Sequence, residues 1–559
     1  MSAFGVGEEA AEEFAFGEAV FDAVDLDENV VFLEAGAFGE AVGTVLAEAF
    51  DKESEGLIDE FQGLTERFSP GLRFQGMRGY CMILVVGAVA CLLAGSIAAA
   101  PNIVYILADD LGYGDLGCYG GKIIQTPRID QMRAEGLKLT QHYSGSCMCA
   151  PTRSSLMTGK HTGHGWVRNN GSYLKKGTGG GEVFLPEAEV TIAEVLKGAG
   201  YATGVVGKWG LGDEGTAGVP NRQGFDYWFG YLDQTLAHHY YPDFLWRNDE
   251  KVLYPGNSEK RTHYSHDLFT EEGLEFIRRQ HAAQKPFFLY LAYTTPHVDL
   301  DVPDDSKAAY IGKIREGEPY GTPGGQHYRH EPQPHATFAG MVSRLDRDVG
   351  QVLDLVKALG IAKDTLVIFS SDNGPTSAGG ADPDFFDGNG PLRGIKFDLY
   401  EGGIRCPFIA WWPGVIVPGT ESGHVSAHWD MLSTFAELAG VESSSGGDGL
   451  SMAPLLTGRL GEQKHHGHLY WESYNSGVQQ AVRSGKWKLV RRQAVSHKPQ
   501  VELYDLETDV GETTSVGAQY PERVAELLSL MEGSHVPNEH YALVPAPKAE
   551  KKGKAAPKK

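Results

Sequence analysis

Two kinds of residue in this sequence could do chemistry at fixed places. The first is a thiol. Cys149 opens the run Cys149-Ala150-Pro151-Thr152-Arg153 within segment 146–160. Pro151 suits a first helical turn, because proline lacks an N–H that such a turn leaves unsatisfied anyway. Cys149 is therefore expected at or just before a helix N-terminus, where free N–H groups and the helix dipole stabilise anions. Arg153 then projects from the first turn and could orient an oxyanion. The second kind is a set of hard oxygen donors. Asp109-Asp110 and Asp372-Asn373 each follow an apolar run. Such oxygens suit Ca²⁺ or Mg²⁺, and the lack of clustered Cys and His ligands argues against zinc. Either pair alone is an ordinary way to end a strand and begin a turn. Two pairs on neighbouring buried strands shift the balance towards a metal.

Such residues must be delivered by a scaffold, and the scaffold is visible as apolar runs. Runs over 103–108, 201–206, 287–293 and 365–371 lead to Asp109-Asp110, Gly207-Lys208, Pro296-His297 and Asp372-Asn373. Continuous apolar runs of this length predict strands buried on both faces of a largely parallel sheet. Amphipathic helical patterns over 191–200 and 338–359 lie between them. Alternation of this kind predicts an α/β sheet flanked by helices. Ligands of such sheets bind beyond the carboxyl ends of the strands, where acids, an amide, a lysine and a histidine here converge. After about residue 440 the texture changes. Short runs at 468–471, 480–483, 487–491 and 501–504 predict a small antiparallel sheet, with a helix over 521–531 after it.

Composition bounds the rest. A chain of 559 residues with 42% hydrophobic and 22% charged residues is globular and exceeds one typical core. The net charge is −24, but residues 1–76 hold 18 acidic against 3 basic residues and so carry −15 of it. The remainder gives no electrostatic reason to expect nucleic acid. Met77-Arg78-Gly79-Tyr80, the apolar stretch 81–94 and Ala98-Ala99-Ala100 have the pattern of a secretory signal peptide, with cleavage near Ala100. The expectation is an exported enzyme, with Met77 as the true start and 1–76 as an acidic extension. Of six cysteines, Cys81 and Cys91 fall in the signal segment; Cys118, Cys147, Cys149 and Cys406 make no disulfide framework. Domains are expected at 101–440 (catalytic) and 441–535 (C-terminal α+β), followed by a Lys/Ala/Pro-rich tail over 536–559.

In combination the motifs resemble those of the type I, formylglycine-dependent sulfatases of the alkaline-phosphatase-like superfamily, closest to the arylsulfatase A-like branch. Cys149-Ala150-Pro151-Thr152-Arg153 fits that family's Cys-x-Pro-Ser/Thr-Arg signature, continued by Gly159-Lys160-His161. Gly200-Tyr201-Ala202-Thr203-Gly204-Val205-Val206-Gly207-Lys208-Trp209-Gly210-Leu211-Gly212 fits the second signature. Asp109-Asp110, Gly112-Tyr113-Gly114-Asp115, Arg393-Gly394-Ile395-Lys396 and Leu503-Tyr504-Asp505-Leu506 also match. The likeness spans about 101–535.

The resemblance implies a mixed, mostly parallel sheet flanked by helices, with a smaller C-terminal antiparallel sheet plus helix. It implies sulfate-ester hydrolysis, releasing inorganic sulfate from a sulfated small molecule or sulfated carbohydrate. Cys149 would be converted to formylglycine by a maturation enzyme, and its hydrate would supply the nucleophile. Ca²⁺, ahead of Mg²⁺, would be held by Asp109, Asp110, Asp372 and Asn373 beside Cys149. Arg153, Lys208 and Lys396 would neutralise sulfate charge, and His297 or Lys396 would protonate the leaving alcohol. His161 would orient the hydrate and His238 would contact sulfate. One departure is Gly210, where many members carry a histidine; His161 and His238 are the candidates to replace it. Two other readings stay open: a phosphodiesterase or phosphonate-monoester hydrolase of the same superfamily, and a non-catalytic binder of sulfated glycans.

Overall fold

The computed structural model describes residues 100–174, 182–324, 328–442, 446–475 and 477–545, and the backbone of a short antiparallel pair, Phe14–Phe16 with Ala19–Phe21. The chain divides into two units, Met1–Ala98 and Ala99–Lys559. Apart from that pair and Ala100, the acidic extension, the apolar signal-like segment and the last part of the tail lie outside the described residues.

The second unit is built on a sheet of eleven strands. In chain order they are β1 (Asn102–Ala108), β2 (Leu137–Tyr143), β3 (Ala202–Lys208), β4 (Tyr227–Tyr231), β5 (Phe244–Arg247), β6 (Glu250–Leu253), β7 (Phe287–Ala292), β8 (Thr365–Ser371), β9 (Arg405–Trp411), β10 (Thr420–Ser422) and β11 (Ser426–Ala427). Their spatial order is β10-β2-β9-β8-β1-β7-β3-β4-β5-β6, with β11 also on β2. The central pairs β8·β1, β1·β7, β7·β3 and β3·β4 are parallel, and antiparallel strands flank them. The sheet is thus mixed and mostly parallel at its centre, as the apolar runs predict.

In chain order the longer helices are α1 (Pro127–Ala134), α2 (Cys149–Thr158), α3 (Ile192–Gly198), α4 (Ser265–Ala282), α5 (Pro334–Ala358), α6 (Asp430–Leu438) and α7 (Pro521–Gly533). Thr191 caps α3 through a reciprocal bond with Glu194, and Pro334 starts α5 at a first-turn position. The apolar runs are continuous because helices cover both faces of the sheet. Val104, Ile106 and Ala108 enter one core with residues of α4 and α5, while Ile103, Tyr105 and Leu107 enter the other with residues of α2, α3 and α6.

The C-terminal part forms a four-stranded antiparallel sheet, β12 (Leu469–Ser473), β13 (Gln479–Ser484), β14 (Trp487–Arg492) and β15 (Gln500–Asp505), in that order. Leu527 and Met531 of α7 pack with Tyr470, Val482, Leu489 and Leu503 of that sheet. Among the described residues no helix is long and apolar enough to cross a membrane.

Candidate active site

Register brings four strand ends to one place. Ala108 pairs with Ser371, Leu107 with Ala292, and Ala292 with Gly207. The residues just beyond β1, β8, β7 and β3 therefore emerge together at the carboxyl edge. Gly207 has φ +115, and a Cβ there would lie 1.9 Å from the Ala292 carbonyl oxygen. Only glycine allows the close strand approach that delivers Lys208. Asp110 turns through φ +64, a conformation uncommon outside glycine and tolerated best by short polar side chains. Its N–H donates to Asp372 Oδ1 at 3.1 Å, locking the two ligand-bearing turns together.

The thiol arrives from the opposite direction. Met148, extended at φ −149, precedes α2, and all ten helix residues are buried. Thr152 Oγ accepts from the Ser146 N–H at 2.9 Å and donates to the Ser146 carbonyl at 3.0 Å, which fixes the entry to the helix. Cys149 and Arg153 are four residues apart and share a face. The Lys396 loop is tied in by Lys396 N–H to Pro375 O at 2.8 Å and Phe397 N–H to Cys147 O at 3.0 Å.

Around the Asp109 carboxylate the charges meet. The Cys149 thiol donates to Oδ1 at 3.4 Å, and Oδ2 receives Arg153 Nη2 at 3.1 Å and Lys208 Nζ at 2.7 Å. The same Arg153 nitrogen reaches Asp372 Oδ2 at 3.0 Å, while Nη1 donates to the Lys208 carbonyl at 2.8 Å. Lys396 Nζ lies 2.8 Å from Asp110, and His297 Nε2 lies 3.4 Å from Asp110 Oδ2. His238 stacks on His297 with centroids 4.9 Å apart and planes within 7°. Burial raises the Asp109 carboxyl, but Lys208, His297 and Arg153 outweigh it and hold that group well below the usual range. Burial and then the Asp109 charge push Asp372 up to about 7. Burial, followed by Lys396, lowers His297 to about 4. The Cys149 thiol is raised by burial and by Asp109, so the sulfur is held as a thiol.

The oxygen donors fit a hard divalent cation, although, against the expectation from sequence, one cysteine and one histidine cluster with them. One ligand atom each of Asp109, Asp110, Cys149 and His297 falls within 4.8 Å of the others. Asn373 supplies an independent sign: its buried Oδ1 has no hydrogen-bond partner, while Nδ2 donates to Asp110 Oδ1 at 2.8 Å. A buried amide oxygen left without a donor is costly, and a cation shared with Asp110 would satisfy it. Asp109, Asp110 and Asp372 are matched in charge by Arg153, Lys208 and Lys396. A divalent ion therefore makes the site net cationic, which suits an anionic ester.

Ten of the residues expected from sequence are thus gathered here: Asp109, Asp110, Cys149, Arg153, Lys208, His238, His297, Asp372, Asn373 and Lys396. His161 is placed elsewhere. It lies beyond the C-terminal end of α2, whose N-terminus holds Cys149, and a helix of that length spans roughly 13 Å. Its ring stacks on His164 at 4.3 Å, and its Nε2 lies 3.6 Å from Asp448. The position of the absent histidine is filled differently as well. A Cβ at Gly210 would fall 2.2 Å from Gln234 Nε2, and that amide donates to the Gly210 carbonyl at 3.4 Å. Glu182 accepts from the Gln234 N–H at 3.3 Å, and burial pushes its carboxyl up to about 7. Gln234, Glu182 and Tyr290, whose hydroxyl lies 3.4 Å from Arg153 Nη1, escape sequence reading. Each sits in a loop or mid-strand without a local motif.

Three acids, an amide and Lys208 at strand ends thus meet Cys149 and Arg153 of α2 and Lys396 of its own loop at the carboxyl edge of an α/β sheet. Likeness to known proteins places such a site in the alkaline-phosphatase-like superfamily. Residues 101–441 match the sulfatase family model, and 395–533 match the model of the N-sulphoglucosamine sulphohydrolase C-terminal region. N-acetylgalactosamine-6-sulfatase of Mus musculus is 33% identical over 408 residues, covering 68% of this chain and 70% of that protein. Arylsulfatase A of Homo sapiens is 33% identical, covering 75% of this chain and 83% of its own. The structure of Ps i-CgsB in complex with k-i-k-neocarrahexaose superposes with a TM-score of 0.65 at 28% identity, over 78% of this chain and 92% of that one. The chain belongs to the sulfatase family, and it is a sulfuric ester hydrolase.

Proposed function

We propose that the chain acts after conversion of Cys149 to formylglycine, with Ca²⁺ at Asp109, Asp110, Asp372 and Asn373, and that it desulfates a sulfated carbohydrate. The carrying observation is the placement of Cys149 at a helix start, 3.4 Å from an Asp109 carboxylate already shared by Arg153 and Lys208. The formylglycine hydrate would supply the attacking oxygen, and the metal would supply Lewis acidity towards that oxygen and a sulfate oxygen.

The remaining work belongs to the chain's own side chains. Arg153 and Lys208 are fully buried and fixed by ion pairs, so they stabilise charge on the sulfate oxygens without reorganising. Lys396 and His297 sit on the Asp110 side. Lys396, held protonated against its burial by the neighbouring carboxylates, is the proton donor for the departing alcohol. His297 commits Nδ1–H to the Val298 carbonyl at 2.5 Å, which leaves Nε2 facing the site. His238, flat against His297, walls the sulfate position.

The named relatives act on sulfated sugars as well as aryl sulfates, which supports a carbohydrate ester. Export after cleavage near Ala100, maturation by a formylglycine-generating enzyme, and a catalytic region over 101–440 with its C-terminal α+β part at 441–535 complete the reading. Peptide mass spectrometry of protein from the native host tests it. An aldehyde in place of the Cys149 thiol is expected; a wholly unmodified cysteine in active protein would overturn the nucleophile assignment.

A further inference from the structure

Next to the catalytic cluster lies a cavity of about 480 Å³ that sulfate-ester cleavage itself does not use. That volume is within the roughly 300–1,000 Å³ typical of small-molecule sites. Its lining includes His239, Arg261, Asp299, Asp301, Tyr328 and Arg329. Cavity and cluster share a wall. The Tyr328 ring meets the His238 ring edge-on at 5.6 Å, and the Asp299 N–H donates to the His238 carbonyl at 2.9 Å. An alcohol whose sulfate rests against His238 and His297 has this cavity beside it.

The charges of the lining indicate what fits. Arg261 grips Asp301 with both terminal nitrogens, one at 2.8 Å, and lies 4.0 Å over the Tyr241 ring. Asp299 takes the Arg329 backbone N–H at 2.9 Å and His239 Nδ1 at 3.1 Å. Both guanidinium groups thus face Asp301, and Asp299 is shared by a backbone N–H and His239. A second anionic group would have to compete with Asp299 and Asp301 for cations that already face them. An uncharged ring bearing hydroxyls meets no such penalty. Carboxylate oxygens keep lone pairs beyond their existing bonds and can accept from hydroxyls. Arg329 can donate to them: its side chain is 45% exposed and its ion pair through Nε to Asp301 is a long 3.7 Å.

We propose that this cavity is a subsite for an uncharged, hydroxyl-bearing sugar ring joined to the sulfated one, so that the preferred substrate is an oligosaccharide. The proposal rests on the sulfatase reading and adds the neighbour that the enzyme recognises.

The test uses the matured full chain and three substrates: 4-nitrophenyl sulfate, monosulfated monosaccharides, and disaccharides carrying the same sulfated ring beside an uncharged one. For at least one such pair the neighbour is expected to raise kcat/KM by roughly ten- to a hundredfold, the scale of one or two hydrogen bonds to charged groups. Arg329→Ala should erase that gain and leave 4-nitrophenyl sulfate turnover within about twofold, while Arg329→Lys recovers part of it. No gain for any pair, or an equal loss on the aryl and sugar substrates, would overturn the subsite. A gain seen only when the neighbour is itself sulfated, and abolished by high salt, would make the occupant anionic and equally overturn it. Failure of the wild type on every sulfate ester would instead strike the sulfatase reading. In that event calorimetric binding of the unsulfated disaccharide, present in wild type and lost in Arg329→Ala, still decides whether the cavity holds a sugar.

Discussion

Two buried charge clusters in the second unit invite comparison. One is the strand-end cluster around Asp109. The other joins the C-terminal sheet to the main sheet: Lys488 Nζ of β14 lies 2.9 Å from Glu401 and 3.0 Å from Glu512, and all three residues are fully buried. Glu401 also takes the Tyr143 hydroxyl at 2.6 Å and Arg405 at 3.2 Å, and its own N–H donates to Glu512 at 2.6 Å. Both clusters split their carboxyl groups in the same way. Burial lifts Asp372 and Glu512 to about 7, while Glu401, despite its burial, is pulled down to about 2 by Lys488, Arg405 and Arg483, as Asp109 is pulled down by its own cations. Perturbed titration therefore fails to tell a site from a clamp here. Geometry does tell them apart. The strand-end cluster has an amide oxygen without a donor, a left-handed aspartate, a thiol at a helix start and a cavity alongside. The clamp faces its oxygens to a lysine, an arginine, a tyrosine and a backbone N–H. Glu512 Oε1 makes no hydrogen bond either but lies 3.0 Å from the Lys488 ammonium, and among the described residues no thiol, left-handed aspartate or cavity accompanies it.

The sharpest way to break this contrast is to cut each cluster once. Cys149→Ala should lower sulfate release from an aryl sulfate by at least about 10³-fold, as expected when a nucleophile is removed, with the melting temperature unchanged within a degree or two. Lys488→Ala should do the reverse. Removing one partner of a buried ion pair costs about 3–5 kcal/mol, so unfolding should move to distinctly lower temperature or denaturant while turnover per folded molecule stays near wild type. Turnover and thermal melts on the same preparations check both. A Lys488→Ala protein that stays as stable as wild type but loses turnover would erase the distinction.

The two clusters also differ in how far sequence reveals them. The scaffold of the active site is plain, because strands buried on both faces write themselves as apolar runs. The run 365–371 coincides with β8, Thr365–Ser371, and the polar residues that end such runs mark the carboxyl edge. Cys149-x-Pro151 similarly announces a helix start. Residues beyond the far end of a helix are harder to place: His161 is near Cys149 in sequence, but α2 carries it away from the thiol. Gln234, Glu182 and Tyr328 come from loops whose paths are set by packing, so no spacing rule points to them. The clamp is hidden for the same reason, since Glu401, Lys488 and Glu512 meet only after the small sheet docks.

Metal removal sharpens the comparison with a smaller effect. Stripping the enzyme with a chelator should cost at least about tenfold in activity, with Ca²⁺ restoring it more fully than Mg²⁺, whose demand for near-ideal octahedral geometry suits this mixed ligand set less well. The stability supplied by a ligand at one hundred times its Kd is about 2.7 kcal/mol, so apo protein should melt lower and regain its transition on adding Ca²⁺. Asn373→Ala should weaken that calcium-dependent rise; Glu512→Gln should leave it untouched. Calorimetric titration of apo protein with Ca²⁺ reads the affinity directly, and an Asn373→Ala protein binding as tightly as wild type would remove the amide oxygen from the ligand set.

The smallest expected effect lies in the clamp and is a matter of sign. Burial, partly offset by Lys488, raises the Glu512 carboxyl in the folded protein from its ordinary 4.5 to about 7. Between those values the folded state holds more protons at this group than the unfolded state does, so its contribution to stability falls as pH rises from about 4.5 to about 7. Below that window the neutral carboxyl is no burden; above it the folded protein carries a buried charge that Lys488 only partly offsets. Glu512→Gln keeps the shape and the acceptor for the Glu401 N–H while removing the ionisation. Its melting temperature should match wild type near pH 5 and exceed it by a degree or more near pH 8. A difference that shrinks with rising pH would mean that Glu512 is ionised and welcome in the folded state, with Lys488 shared equally between two carboxylates.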